Sequence, residues 1–133
     1  NAFKGVELGA GFASSAVFGS ELHDEILYED DKITRASNNA GGIEGGMSNA
    51  QPIHVKVSMK PISTLIKPLR SIDLNTMEPK LAHKERTDSC AVPAASIIGE
   101  SMLAIVLADA LLEKFGGDSL EQLKKHIKAS GKY

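Results

Sequence analysis

Residues 91–117 read AVPAASIIGESMLAIVLADALLEKFGG, and the part from Ala91 to Leu112 is the longest apolar stretch of the chain. Pro93 suits the first turn of a helix, and the Gly116–Gly117 pair suits its end, where a left-handed residue closes the last turn. The apolar side chains begin on one helical face and widen to nearly the whole circumference. The pattern therefore predicts a long buried helix over residues 94–115.

Two other segments alternate apolar and polar residues, which is typical of strands with one buried face. Ile53–Met59 reads IHVKVSM, and Phe3–Gly11 reads FKGVELGAG, with glycines that mark bends or close packing. We expect both segments in one antiparallel sheet that the long helix covers. The predicted fold class is α+β, an antiparallel sheet packed on a long buried helix.

The remaining segments have weaker patterns. Glu21–Asp31 contains six acidic residues among eleven and is interpreted as a solvated loop. Ser63–Pro79 has few periodic apolar residues and suits an exposed crossing segment. A D-x-x-E capping box, formed by Asp118 and Glu121, opens a second, lysine-rich helix over Ser119–Ala129.

The charge balance and the cysteine content argue against several classes of protein. Fifteen basic and seventeen acidic residues give a net charge of -2, whereas nucleic-acid recognition usually leaves a basic face. Cys90 is the only cysteine, so no internal disulfide can form. Glu100 and Asp109 interrupt the apolar stretch, so it is not predicted to span a membrane. We expect neither a nucleic-acid partner nor a membrane partner.

Residues 37–49 read SNNAGGIEGGMSN and hold four glycines in two pairs. Paired glycines allow positive φ angles and let another chain or a flat ligand approach the backbone closely. The segment also precedes a strand, as the turn of a plain β-hairpin would. Asn38 and Asn39 could offer amides to a ligand or could cap their own turn. The segment is thus either a ligand-facing loop or a structural turn.

Two further segments could bind an anion. Residues 60–64 read KPIST and place one cation and two hydroxyls at the end of the predicted strand, where they could surround a phosphate or simply be solvated. Arg86 and Asp88 lie just ahead of the long helix, whose first turn favours anions. The alternative is a surface ion pair between these two residues.

Familiar cofactor and metal motifs are incomplete in the sequence. GxxxxGK[ST] does not occur, and residues 9–14 fail the dinucleotide pattern at its last position. The histidines are far apart, and we predict no metal site from them: His23, His54, His83 and His126.

Several of these segments together resemble one known family. The SNNAGGIEGGMSN loop, the KPIST segment twelve residues beyond Ser48, and RTDSCAVPAA ahead of the helix that ends VLADALLEKFGG resemble the carboxyl-terminal part of chorismate synthase. NAFKGVELGAGF and the Asp24-Glu25-Ile26 segment are similar to the same family. The resemblance implies that residues 1–133 are a carboxyl-terminal, FMN-binding part of a longer chain, within the β-α-β sandwich of that family.

The resemblance implies a lyase of the shikimate pathway and therefore a role in aromatic amino-acid biosynthesis. The family converts 5-enolpyruvylshikimate 3-phosphate to chorismate and phosphate by a 1,4-anti elimination. It requires reduced FMN although no net redox change occurs. The same resemblance implies an association with NADP, a homotetramer and a cytoplasmic location.

The resemblance also implies roles for individual residues. FMN contacts would fall on these positions: Asn1, Ala2, Gly45, Lys60, Pro61, Ile62, Ser63, Thr64 and Arg86. Asp88 would lie beside the flavin as the catalytic group that helps to remove the C6 proton. Asn39 and Arg86 would contact the anionic side of the substrate.

The chain departs from the family pattern in one important respect. The family's two catalytic histidines and its Arg-Ser-Ser flavin segment lie upstream of Asn1, and none of the four histidines here matches them. The chain also starts without Met and without an apolar signal region, as a piece cut from something longer would. We expect residues 1–133 alone to be inactive. The competing hypotheses are an FMN-binding module without catalysis and a purely structural oligomerisation domain.

Overall fold

The structure is a computed structural model that describes residues 2–85 and 90–131. It divides into two compact units, Asn1–Ser63 and Thr64–Tyr133. The described elements of the first unit are β1 (Phe3–Leu8), a 3-10 helix (Gly11–Ala16), α1 (Gly19–Leu22), β2 (Ile26–Glu29), β3 (Lys32–Arg35), β4 (Ile43–Glu44), β5 (Met47–Ser48) and β6 (Val55–Met59). Those of the second unit are β7 (Arg70–Ile72), β8 (Pro79–Leu81), α2 (Val92–Phe115) and α3 (Leu120–Ala129). Small antiparallel sheets and a long helix confirm the predicted α+β class.

β1 and β6 pair in the antiparallel manner predicted for the two alternating segments. Leu8 lies opposite Val55, and Phe3 lies opposite Met59. The backbone N–H of Lys60 donates to the carbonyl oxygen of Ala2 at 2.7 Å, which extends the pairing past the end of β6. The sheet therefore brings the beginning of the chain next to Lys60.

The acidic segment Glu21–Asp31 is not the loop that its charge indicated. Its first residues belong to α1, and β2 forms an antiparallel hairpin with β3. The turn of that hairpin uses Asp30 and Asp31 at φ 50° and 58°. Aspartate is among the residues that adopt this left-handed conformation more often than others, so two carboxylates in succession can form the turn.

The predicted crossing segment Ser63–Pro79 also contains structure. β7 pairs with β8 in an antiparallel hairpin, and the Lys80 ammonium lies 2.9 Å from a carboxylate oxygen of Asp73. Hydrogen bonds from Lys80 and from the backbone N–H groups of Asn75 and Thr76 hold the pKa of Asp73 below its usual value. The hairpin was missed because both strands are short and lack apolar alternation.

The long helix ends at Phe115 as predicted, but it begins at Val92, two residues before the predicted start, and Gly116 has a ψ of -170° instead of the left-handed helical conformation that was expected. α2 carries Pro93 in its first turn and ends at Phe115. Gly116 follows with φ 43°, and its N–H donates to the carbonyl oxygen of Leu112 at 2.8 Å. The positive φ explains why glycine stands at this position.

The predicted burial of α2 is not found. Ala95 is the only apolar side chain that is buried among the described residues, whereas Ile105 and Val106 on the same helix are 70% and 64% exposed. By length and composition the 24-residue helix could cross a membrane, which is a weak indication because the core helices of soluble proteins pass the same test. The described part of the chain therefore does not cover the apolar surface of α2.

The cap of α3 lies one residue later than predicted. Ser119 is the N-cap, and its hydroxyl accepts a hydrogen bond from the backbone N–H of Gln122 at 3.3 Å. The Gln122 side chain accepts one from the backbone N–H of Asp118 at 2.7 Å. The capping box predicted for Asp118 and Glu121 is therefore wrong in register, because S-x-x-Q and D-x-x-E overlap in this sequence.

Candidate functional site

The first glycine pair of the SNNAGGIEGGMSN loop packs against the chain's own backbone. Gly41 and Gly42 are buried and have φ angles of 67° and 85°. A Cβ atom added at Gly41 would lie 2.3 Å from the Gly9 nitrogen, and one at Gly42 would lie 2.6 Å from the Pro52 oxygen. Real Cβ atoms do not approach other atoms so closely. Glycine is therefore needed at both positions so that the loop can pack against the backbone at Gly9 and Pro52, which is a structural role.

The second glycine pair is open to solvent. β4 and β5 form an antiparallel hairpin whose turn is Gly45–Gly46, at φ 58° and 79°. Two successive positive φ angles are typical of the type I′ turn that fits a two-residue hairpin. A Cβ atom added at either glycine would meet no atom within 4 Å. The turn geometry alone favours glycine here, and the space above it remains free for a ligand.

Asp24 holds the beginning of the same loop. Its carboxylate accepts hydrogen bonds from the Ser37 hydroxyl at 2.5 Å, the Asn39 backbone N–H at 2.7 Å and the Ala40 backbone N–H at 2.9 Å. These donors come from residues 13 to 16 positions further along the chain. One side chain therefore ties the segment after α1 to the residues just ahead of the first glycine pair.

The ionisation of Asp24 follows from these contacts. Partial burial raises its pKa, but the Ser37 hydroxyl, the amides of Ala40 and Asn39 and the nearby Arg35 charge together lower it by more. The net pKa lies below the usual value for aspartate. Asp24 is therefore a carboxylate at neutral pH, in the form that accepts all three hydrogen bonds.

Arg35 connects Asp24 to the hairpin. One guanidinium nitrogen of Arg35 donates to the carbonyl oxygen of Asp24 at 3.4 Å, and the other lies 2.8 Å from a carboxylate oxygen of Glu44. The same Glu44 oxygen accepts a hydrogen bond from the Asn49 side-chain amide at 2.8 Å. Glu44 immediately precedes Gly45, so the network reaches the first residue of the open turn.

Asn38 and Asn39 use their side-chain amides inside the loop. The Asn38 amide donates to the Pro52 carbonyl at 2.9 Å, and its oxygen accepts from the Gly42 N–H at 2.9 Å. The Asn39 amide donates to the Leu22 carbonyl at 2.8 Å and lies 3.4 Å from the Ser37 hydroxyl. Asn38 therefore caps its own turn, whereas the Asn39 amide ties the loop to Leu22, and a contact between Asn39 and a substrate stays a prediction.

A cleft of about 360 Å³ opens beside the hairpin in the first unit. Asp24, Asn39, Glu44 and Gly45 contribute to its wall. The predicted contact residue Gly45 and the anchoring carboxylate Asp24 therefore border the same space.

The predicted contact residues of the KPIST segment span the point in the sequence where the first unit ends and the second begins. Lys60, Pro61, Ile62 and Ser63 end the first unit, and Thr64 begins the second. Lys60 is exposed, and within residues 2–85 and 90–131 no ion pair involves its ammonium group. Ala2 lies beside Lys60 through the backbone hydrogen bond already described.

Three predicted site residues, Asn1, Arg86 and Asp88, lie outside the described residues. Their roles in cofactor binding, anion binding and proton removal therefore stay predictions. Among the residues that are described, no group of three or more His, Cys, Asp or Glu side chains lies close enough to hold a metal ion.

Sequence reasoning gave no role to Asp24, Arg35 or Glu44. The need for an acceptor such as Asp24 could have been inferred from the sequence. Backbone N–H groups in a glycine-rich loop lie outside regular strand pairing and need other hydrogen-bond acceptors. Asp24 belongs to the Asp24-Glu25-Ile26 segment on which the family resemblance partly rests. No pattern in the sequence indicates that Arg35 and Glu44 meet, since they belong to two different hairpins, β2–β3 and β4–β5.

Comparison with known proteins gives a consistent result. The family model described as chorismate synthase matches residues 1–112. The chain is 60% identical over 127 residues to a chorismate synthase of Aquifex aeolicus, covering 95% of this chain and 32% of the relative. It is 54% identical over 134 residues to chorismate synthase 2 of Bacillus cereus, covering 100% of this chain and 34% of the relative.

A solved structure agrees with these relatives. A crystal structure of chorismate synthase has a TM-score of 0.72 and 45% identity, and the match covers 98% of this chain and 31% of that one. The chain thus spans about a third of the length of the relatives that it matches.

Proposed function

The chain belongs to the chorismate synthase family, and we propose that it forms the FMN-binding, carboxyl-terminal part of such an enzyme. In this proposal the whole protein converts 5-enolpyruvylshikimate 3-phosphate to chorismate and phosphate by a 1,4-anti elimination with reduced FMN. The observation that carries the proposal is 60% identity over 95% of the chain to a protein of that name. A homotetramer, an association with NADP and a cytoplasmic location are further proposals that rest on the family alone.

Two features of the first unit support FMN as the cofactor. The Gly45–Gly46 turn leaves open space where a flat ring or its ribityl chain could approach the backbone without meeting a Cβ atom. Lys60 offers an exposed ammonium group at the end of β6, and a phosphate group needs such a cation. Gly45 and Lys60 are among the positions that the family resemblance assigns to FMN.

The proposed chemistry divides between cofactor and protein. Reduced flavin, when bound, supplies electron density that assists the departure of the phosphate. The chain's own residues bind and orient the reactants: Lys60 and Arg86 hold anionic groups, and positive charge placed in advance stabilises the charge that develops on the leaving phosphate. Asp88 would lie beside the flavin and help to remove the proton that leaves C6 of the substrate.

The test uses the complete protein that contains this chain. Purified protein is mixed without oxygen with reduced FMN and 5-enolpyruvylshikimate 3-phosphate, and we expect chorismate and phosphate in equal amounts. A folded protein that binds FMN but forms no chorismate would support the FMN-binding module instead. A folded protein that does not bind FMN would contradict both of these functions and favour an oligomerisation domain.

Arg86 and Asp88 should separate binding from chemistry in the complete protein. Asp88→Asn is expected to keep FMN and substrate affinity within about threefold and to lower kcat by roughly 10²-fold or more, the usual scale of a positioned proton-transfer group. Arg86→Ala should instead weaken ligand binding by about 1.5–3 kcal/mol, because it removes a charge-assisted hydrogen bond. Single-turnover stopped-flow absorbance measures the two steps separately. A normal kcat for Asp88→Asn would show that Asp88 is only an ion-pair partner of Arg86.

A further inference from the structure

We propose that Asp24 is a positioning residue that fixes the hairpin turn Gly45–Gly46 at the FMN site, with Arg35 and Glu44 as the connection between them. This inference rests on the proposed function, because it assigns the turn to cofactor binding. Asp24 itself is not assigned any contact with FMN or substrate. Its effect is exerted through the backbone of the loop that it holds.

The first step of the argument is the number of hydrogen bonds that converge on one carboxylate. Asp24 accepts hydrogen bonds from Ser37, Asn39 and Ala40, and two of these donors are backbone N–H groups. Backbone donors cannot move away without moving the chain. The carboxylate therefore fixes the main chain at residues 39–40, directly ahead of the first glycine pair.

The second step is the packing of that glycine pair. The Ala10 N–H donates to the Asn39 carbonyl at 2.8 Å, and the His54 N–H donates to the Gly41 carbonyl at 3.1 Å. The loop is thus held between β1 and the start of β6 by main-chain hydrogen bonds. Because Gly41 leaves no room for a Cβ atom, a small displacement of residues 39–40 cannot be absorbed there.

The third step reaches the open turn. Arg35 contacts the Asp24 carbonyl on one side and the Glu44 carboxylate on the other, and its side chain is only 17% exposed. The Glu44 side chain is 45% exposed, so the ion pair is partly shielded from solvent on the Arg35 side only. Asn49, the residue that follows β5, contacts the same Glu44 oxygen. Glu44, directly ahead of the Gly45–Gly46 turn, is therefore connected both to Arg35 and to the residue that ends the hairpin.

Apart from its own strand pairing, the described contacts of the hairpin are this network and one main-chain hydrogen bond, from the Asn49 N–H to the Gly42 carbonyl at 3.0 Å. The two strands of the hairpin have two residues each, and an isolated two-stranded hairpin is marginally stable in water. No side chain stands at the turn, since both of its residues are glycine. The position of the turn is consequently decided by what holds residues 44 and 49.

The test compares three variants of the complete protein. Asp24→Asn keeps the size of the side chain but removes one acceptor oxygen and the charge. Ser37→Ala removes one of the donors and leaves both backbone hydrogen bonds. Asp30→Asn is the matched control, because it neutralises a carboxylate of the same acidic segment at a turn whose left-handed conformation asparagine also adopts.

Two quantities are measured at a temperature at which every variant remains folded by circular dichroism. One is the FMN dissociation constant from flavin fluorescence, and the other is hydrogen–deuterium exchange of peptides that cover residues 43–49. We expect Asp24→Asn to raise the dissociation constant about tenfold and Ser37→Ala to raise it about twofold to threefold, since hydrogen bonds to a charged acceptor are the stronger kind. Exchange should accelerate in the same order, and Asp30→Asn should change neither quantity.

The outcomes distinguish this inference from the proposed function. Unchanged exchange at residues 43–49 in Asp24→Asn would overturn the inference, whether or not FMN binds. Faster exchange with unchanged FMN affinity would also overturn it, because Asp24 would then have a structural role only. Wild-type protein that fails to bind FMN would contradict the proposed function, and the inference that Asp24 fixes the turn at an FMN site would fall with it.

Discussion

The glycines of residues 41–46 stand at their positions for two different reasons. Gly41 is required by contact, because the Gly9 backbone occupies the space that a Cβ atom would need. Gly45 is required by conformation, because its φ of 58° lies in the left-handed region although the surrounding space is empty. Replacing Gly45 by a residue that adopts positive φ keeps the turn but adds a side chain, so it tests whether Gly45 also contacts a ligand.

Gly45→Asn and Gly45→Val in the complete protein make this test. Asparagine at the first position of a type I′ turn preserves the hairpin but adds a side chain over the turn. If FMN lies there, Gly45→Asn should raise the FMN dissociation constant about tenfold, or about 1.4 kcal/mol, and Gly45→Val should raise it further because it also strains the turn. Fluorescence titration measures both. Normal FMN affinity in Gly45→Asn would make Gly45 a turn residue only.

Ala50 carries backbone strain that glycine would relieve. Its φ is 65°, a conformation that costs an L-residue with a Cβ atom roughly 1–2 kcal/mol. Glycine loses more conformational entropy on folding, which offsets about 0.5–1 kcal/mol of the gain. Ala50→Gly should therefore stabilise the complete protein by about 0.5 kcal/mol.

The measurement for Ala50→Gly is the unfolding midpoint, with Ala104→Gly in α2 as the control. Glycine within a helix is expected to destabilise by about 1 kcal/mol, so the two substitutions should shift the midpoint in opposite directions. A lower midpoint for Ala50→Gly would show that the positive φ at this position carries no strain.

At the scale of elements, long or strictly alternating patterns were predictable and short hairpins were not. α2 and the β1–β6 pair have enough residues for periodicity to decide their type. The hairpins β2–β3, β4–β5 and β7–β8 have strands of two to four residues, too few for a period to appear. The turn of β2–β3 is Asp30–Asp31 and the turn of β4–β5 is Gly45–Gly46, all at positive φ. In the sequence, the acidic residues were a sign of solvation and the glycines a sign of ligand binding. For Asp30–Asp31 the decisive signal was that aspartate tolerates the left-handed conformation of a turn.

The cap of α3 is a prediction at the same scale. Ser119→Ala should destabilise α3 by about 1 kcal/mol because it removes the acceptor of the Gln122 N–H, whereas Asp118→Ala should have the smaller effect. Hydrogen–deuterium exchange of residues 120–129 in the complete protein measures the local loss. If Asp118→Ala destabilised α3 more than Ser119→Ala, the result would support the capping box predicted for Asp118 and Glu121 and contradict Ser119 as the N-cap.

At the scale of the whole molecule, the chain has more apolar surface than it covers. Apart from Ala95, the apolar side chains of the described residues are partly or fully exposed, including those of α2. The periodicity of α2 correctly indicated a helix, but its predicted burial is not found, because the described residues leave most of its apolar side chains exposed. The site was likewise only partly predictable from the sequence. The pattern of residues 37–49 predicted a loop, but the contacts of Asp24 and Arg35 with that loop became visible only in the structure.

Residues 1–133 alone should therefore form no chorismate and should lack a well-packed core. A chain that buries so little apolar surface cannot offset the conformational entropy of folding by hydrophobic burial, and the family resemblance places the catalytic histidines outside it. We expect strong binding of the dye ANS and a broad thermal transition for the 133-residue chain, against weak dye binding and a sharp transition for the complete protein. Turnover is assayed on both with reduced FMN and 5-enolpyruvylshikimate 3-phosphate. Chorismate from the 133-residue chain would contradict the assignment of essential groups outside it.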